Sequence, residues 1–191
     1  MNTCDILLMR GRYDTLWGWW TYIIHVVTRT EWTHVGMVLK NPIYIDKKYN
    51  DGLYILESGS EPFSEKFGVQ VTKLDDMINA NIYSHMSYRT LTWDTDIDIH
   101  ERLKIILNVT EDKPYDINII NMLGILFKSK YMITPRKLDA FVCSTLIAFV
   151  YTELGIMAPD TNWSFFTPKN FSNKGILPLH NATLSPEKKL S

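Results

Sequence analysis

A chain of 191 residues with 46% hydrophobic content can bury one continuous core and has the usual size of a single domain. Lys and Arg number 20 against 21 Asp and Glu, giving a net charge of -1, so no summed positive field exists to hold a phosphate backbone and nucleic acid is not expected as a partner. Cys4 and Cys143 are the only cysteines, too few for a disulfide framework and without the paired spacing of a zinc site, which fits a reducing, cytoplasmic setting and no metal.

From the amino end, Cys4 to Met9 reads as a short strand, and the turn at 10–14 supplies Asp14 to cap a helix. In that helix Leu16, Trp20, Ile23, Ile24 and Val27 recur at helical spacing, with Trp17 and Trp19 widening the stripe. No stretch has the length of a membrane span, and the apolar run at 16–27 is not followed by a small-residue cleavage site. Thr33 to Leu39 and Leu53 to Glu57 read as strands joined by a long connection through Asn41-Pro42 and the 50–52 turn. Gly68 to Val71 and His85 to Leu91 follow as strands, separated by a short helical stretch at Leu74 to Ile78. Helices are then expected at Ile99 to Val109 behind Asp98, at Ile117 to Phe127, and at Ala140 to Leu154, the last stopped by Gly155. Strands followed by helices indicate an α+β domain over residues 1–184. The polar run 185–191 is expected to be a disordered tail.

Cys143 falls near the start of the last helix, where unpaired backbone N–H groups and the positive end of the helix dipole favour a thiolate. It also shares a helical face with Leu146, Ile147, Val150 and Leu154, the pattern of an inert core cysteine. His34 shares a strand face with Gly36 and Val38, and the missing side chain at Gly36 would clear space beside the imidazole for a helix end or a substrate. A hydrogen-bonded core histidine is the alternative. Glu57 alternates with Leu53 and Ile55, so its carboxylate points to an apolar face and needs a partner such as a histidine on a neighbouring strand. Tyr115 follows a proline at a helix boundary, where its phenol could project as an oxyanion donor or simply pack against the core. His25, His85, His100 and His180 read as structural or exposed.

Together these segments resemble the circularly permuted branch of the NlpC-like papain superfamily, which includes YiiX-like proteins, homologues in large DNA viruses and, more distantly, the lecithin:retinol acyltransferase group. The likeness runs from Asp5 to about Phe171 through the strand Thr33–Val38 (THVGMV), Leu56–Ser58 (LES), Gly68–Gln70 (GVQ), Lys113–Asp116 (KPYD), Cys143–Leu146 (CSTL) and Thr167-Pro168. It implies a permuted papain-like fold, an antiparallel sheet or barrel packed against helices, with Cys143 at the amino end of a central helix. It also implies a site in the chain order His34, Glu57, Tyr115, Cys143. Thr145 stands where that family usually has Glu.

The function that follows is a thiol hydrolase or acyltransferase, without cofactor, that cleaves or transfers an acyl group from an amide or lipid ester through a thioester on Cys143. His34 would be the base, Glu57 its orienting carboxylate and Tyr115 an oxyanion donor. Trp17, Trp19 and Trp20, with Gly36, would contact substrate, a lipid or a peptide, with peripheral membrane contact as a further expectation. Cleavage of peptide cross-links is the alternative substrate class. A non-catalytic binding module, or a virion component that keeps the fold, is the alternative outside enzymes.

Overall fold

The structure, a computed structural model, describes residues 1–14, 22, 25, 29–60, 67–111, 113–114 and 141–190. Its centre is a six-stranded antiparallel sheet in the order β4-β3-β2-β1-β5-β8. β1 is Ile6–Gly11, β2 His34–Lys40, β3 Leu53–Ser60, β4 Phe67–Lys73, β5 Tyr83–Arg89 and β8 Lys188–Lys189. Both faces of the central strands are covered, which is why β1 reads as an almost unbroken apolar run rather than an alternation. Ile6, Leu8, Val35, Met37, Leu39 and Leu56 belong to the main core, while Leu7, Met9, Val38 and Ile55 join Leu74 and Met77 in a second cluster. Leu74 and Met77 are the inward residues of the short helix α1, Leu74–Asn79.

Helix α2, Ile99–Thr110, starts where the sequence places it. Asp98 Oδ1 accepts the backbone N–H groups of His100 and Glu101 at 3.0 and 3.2 Å, satisfying two donors of the first turn. Helix α3, Cys143–Glu153, has every residue from Cys143 to Tyr151 buried. A helix apolar on all sides must be enclosed, and α3 lies between the sheet core and the aromatic side chains of Trp163, Phe166 and Phe171. Gly155 follows its last turn at φ +78°, a left-handed conformation suited to glycine, as expected of the helix stop.

Several expected boundaries move for identifiable reasons. The expected Ala140 start of α3 shifts to Cys143, because Phe141 donates its N–H to the Pro114 carbonyl at 3.2 Å and Val142 is extended. The fifth strand ends at Arg89, and Leu91–Trp93 forms a separate strand, β6, paired with β7, Ala182–Leu184. The buried Asp5 carboxylate accepts the Leu91 N–H at 2.9 Å, so this backbone donor is used away from the main ladder. The expected helices at 16–27 and 117–127 lie outside the described residues, Tyr22 and His25 apart.

The run 185–190 is not the disordered tail that its composition suggests. β8 pairs with β5, and the Leu190 N–H reaches the Met86 carbonyl at 3.0 Å. The Arg89 guanidinium donates to the carbonyls of Phe171, Ser172, Leu184 and Ser185 over 2.7–3.3 Å. Five guanidinium N–H groups in a fixed fork can satisfy several carbonyls at once, which a polar composition does not reveal. Arg89→Ala is expected to cost about 1–3 kcal/mol by stranding these acceptors. It should also speed tryptic cleavage at Lys188 and Lys189, read by thermal unfolding and timed proteolysis.

Candidate active site

The site is assembled where the start of β2, the end of β3 and the first turn of α3 meet. In the ladder between β2 and β3, Val38 lies opposite Ile55. Alternation then carries Gly36, His34, Glu57 and Gly59 along the same face towards the mouth of the sheet. Glu57 is 1% exposed, and its Oε2 lies 2.6 Å from His34 Nε2. Its other oxygen, Oε1, accepts from Gln70 Nε2 and Thr72 Oγ1, both at 3.4 Å across β3 and β4. A buried carboxylate with three polar contacts is tolerated where an isolated one would not be.

Cys143 occupies the first position of α3 and is hydrogen-bonded to His34. Since Nε2 is engaged by Glu57, Nδ1 is the ring nitrogen left for the sulfur. The backbone N–H groups of Val35 and Ser144 also donate to that sulfur. Burial alone raises the thiol pKa, but the charge and hydrogen bond of His34, with these two N–H groups, outweigh it and hold Cys143 below the ordinary thiol range. Burial alone lowers the imidazole pKa. The Cys143 charge and hydrogen bond, followed by those of Glu57, reverse that and push His34 up to about 10. Each of the two groups thus favours the charged form of the other.

Other side chains fix the first turn of α3 without contributing charge. Thr145 Oγ1 accepts from the Val142 N–H at 3.1 Å and donates to the Val142 carbonyl at 3.0 Å. Ser144 Oγ donates to the Phe166 carbonyl, and Ser58 Oγ donates from β3 to the Phe141 carbonyl, both at 2.7 Å. Behind them, Val69 donates its N–H to the Lys113 carbonyl at 2.8 Å. A side chain on Gly68 would place Cβ 2.3 Å from that carbonyl oxygen, so glycine is what lets the Lys113-Pro114 backbone close against β4.

Of the expected residues, the fold brings His34, Glu57 and Cys143 together. Gly36 corrects the expectation made for it. A Cβ there would meet Ile55 Cγ2 at 2.4 Å and the Leu56 carbonyl at 3.2 Å, so its missing side chain is filled by the sheet interior and leaves no room for substrate. Gly59 has the role expected of Gly36, since its Cβ would stand 3.1 Å from His34 Cε1 and 3.6 Å from Nε2. Tyr115, Trp17, Trp19 and Trp20 lie outside the described residues. Sequence reasoning missed Gly59, Gln70 and Thr72. The latter two were detectable, because period-two alternation along β4 puts both on one strand face. It also missed Tyr83, whose ring stacks on His34 at 5.8 Å and 19°.

Among the described residues no group of three or more His, Cys, Asp or Glu side chains is placed to hold a metal, and no helix is long and apolar enough to cross a membrane. No family model matches the sequence, and no curated protein matches it. The chain is an α+β protein with an antiparallel sheet packed against few helices, and that architecture has a solved counterpart. Its fold is similar to that of yiiX from Escherichia coli O157:H7, described as a metalloprotein of DUF1105, with a TM-score of 0.54 at 16% identity over 100% of this chain and 96% of the other.

The rate at which iodoacetamide alkylates Cys143 should rise through a pKa below the ordinary value of about 8.5, because the thiolate forms as pH climbs past a lowered pKa. His34→Ala should move that rise upward, whereas Cys4, pushed up to about 12 by burial and by Asp5, should stay unlabelled. Gly59→Ala, which crowds the imidazole, should slow Cys143 alkylation by about ten- to a hundredfold with unchanged circular dichroism.

Proposed function

We propose that this chain is a cysteine-dependent acyl hydrolase or acyltransferase of the permuted papain-like type. The observation that carries the reading is the buried relay in which Glu57 Oε2 sits 2.6 Å from His34 Nε2 while the same imidazole is hydrogen-bonded to Cys143 at the first residue of a helix. Similarity of fold to yiiX supports the papain-like architecture and carries no residue role by itself.

In this reading the Cys143 thiolate attacks the carbonyl carbon of an ester or amide. A C–S bond forms, and the carbonyl π electrons move to oxygen. The backbone N–H of Cys143, in the first turn of α3, would hold that oxyanion, and Tyr115 would add a second donor. Collapse of the tetrahedral species breaks the bond to the leaving alcohol or amine, which takes its proton from the His34 imidazolium. Neutral His34 then removes a proton from water or from an acceptor hydroxyl or amine. Its attack on the thioester releases the acyl product and returns the electron pair to sulfur. Glu57 keeps the ring aligned and offsets its positive charge throughout. Cysteine chemistry of this kind needs no metal, although yiiX is described as a metalloprotein. The described residues do not gather a ligand set, and both ring nitrogens of His34 are already engaged.

Incubation with an activated acyl ester and mass spectrometry of the trapped protein tests the proposal. One acyl adduct on Cys143 is expected in the wild type, and none in Cys143→Ala, with the same melting temperature for both. His34→Gln should lower the acylation rate by at least about a hundredfold. Acylation that persists in Cys143→Ala, or that maps to Cys4, would refute the assignment.

A further inference from the structure

Outside the reacting trio, two buried nitrogen atoms have no hydrogen-bond partner and converge on one aromatic ring. They are Arg10 Nε and His25 Nδ1. The Arg10 guanidinium carbon lies 5.6 Å from the centroid of the Tyr13 ring, and the His25 ring lies 6.3 Å from it, edge to face. Arg10 makes no ion pair among the described residues. Exposed cations need no explanation, but a guanidinium N–H withdrawn from water and left unpaired does.

The position of Arg10 in the sheet connects this pair to the site. Met9 pairs with His34, and Leu8 pairs with Val35, whose N–H donates to the Cys143 sulfur. Arg10 is one pleat beyond Leu8 and so shares its sheet face, the one against which α3 and its Cys143 pack, opposite the face that carries His34 and Glu57. One pleat is about 6.6–6.8 Å along a strand, within reach of an arginine side chain. Across the sheet Arg10 lies opposite His85, which stacks on Trp32 at 5.6 Å. The guanidinium thus stands over the Tyr13 ring with its buried Nε unpaired.

We infer that Arg10 and His25, set against Tyr13, form an anion subsite beside the reacting centre that binds a carboxylate or phosphate group on the substrate. The inference rests on the reading of Cys143 as the nucleophile and narrows its substrate class to acyl compounds carrying an anionic group. An oxyanion there accepts the Arg10 Nε–H, with a second guanidinium N–H available in the same plane, and the Nδ1–H tautomer of His25. It thereby satisfies both orphan nitrogens. Phosphate and carboxylate share this recognition chemistry, so the test has an arm for each.

The first measurement compares alkylation of Cys143 in the full chain by iodoacetate, an anion, and by iodoacetamide, its neutral isostere, at low salt. Their rate ratio cancels any general change in thiol reactivity. Arg10→Gln is expected to lower the ratio about fivefold, the size of one charge acting over several ångströms near a protein surface, and Arg10→Lys to keep most of it. An unchanged ratio in Arg10→Gln overturns the subsite. If neither reagent labels wild-type Cys143, the nucleophile reading fails, and the subsite is judged by a second measurement that needs no reactive thiol. The Arg10 Nε–H resonance is followed by NMR while sodium phosphate, and separately sodium acetate, is added. A saturable shift with one of them, absent in His25→Ala, is expected and identifies the preferred anion. No shift with either overturns the inference.

Discussion

Burying one carboxylate inside the sheet organises the site. Glu57 is 1% exposed on a strand whose neighbours along the same face are apolar or glycine. Removing such a group from water costs several kcal/mol unless other groups replace the lost hydration. His34 provides the charged partner at 2.6 Å, and Gln70 with Thr72 supplies donors to the second oxygen. Once one ring nitrogen of His34 is committed to Glu57, the imidazole plane is set and its other nitrogen is presented to Cys143. The charge of the carboxylate is then felt at the sulfur through the ring. Burial works against the ionised forms of His34 and Cys143, and only their attraction to each other and that of His34 to Glu57 offsets it.

The sulfur half of the arrangement depends on how firmly the helix start is held. Neutral hydrogen bonds fasten residues 141–145: Phe141 N–H to the Pro114 carbonyl, Ser58 to the Phe141 carbonyl, Ser144 to the Phe166 carbonyl, and the two between Thr145 and Val142. Thr145, the departure from the family pattern, occupies its position as a self-contained cap. At the far end of α3 the Tyr151 hydroxyl donates to the Cys4 carbonyl at 2.6 Å and ties the helix to the entry of β1. A helix clamped at both ends between a sheet and an aromatic layer cannot slide, so the sulfur stays in register with the imidazole. Val35 contributes its N–H to the sulfur because it follows His34 on the same strand, so one short stretch of β2 supplies both the base and part of the thiolate cradle.

Periodicity was enough to find β1 to β5, α1, α2 and α3, because each is long enough to show its spacing and most carry a boundary signal, such as Asp98 before α2 or Gly155 after α3. The same reading paired Glu57 with a histidine on a neighbouring strand, since a carboxylate on an apolar face has few other outcomes. It placed Cys143 in a first helical turn. It misjudged Gly36, because alternation says which face a glycine lies on but not which side chain fills the space it leaves. That depends on the register that sets Ile55 beside it.

What the sequence by itself determined is therefore local: residue types on strand and helix faces, the cap at Asp98, and the chemistry available to one cysteine and one histidine 109 positions apart by the numbering. The tertiary structure decided the rest. Only strand register could select Gly59 rather than Gly36 to stand against the imidazole, and only long-range packing could recruit Gln70 and Thr72 behind Glu57. Only contacts with distant segments, the pairing of β8 with β5 and the bonds of Arg89 to four carbonyls, could order a polar run at 185–190 that composition assigns to solvent. The physical reason is the same in each case. Periodicity reports which face a side chain occupies, whereas pairing energies between segments far apart in the chain determine what that face meets.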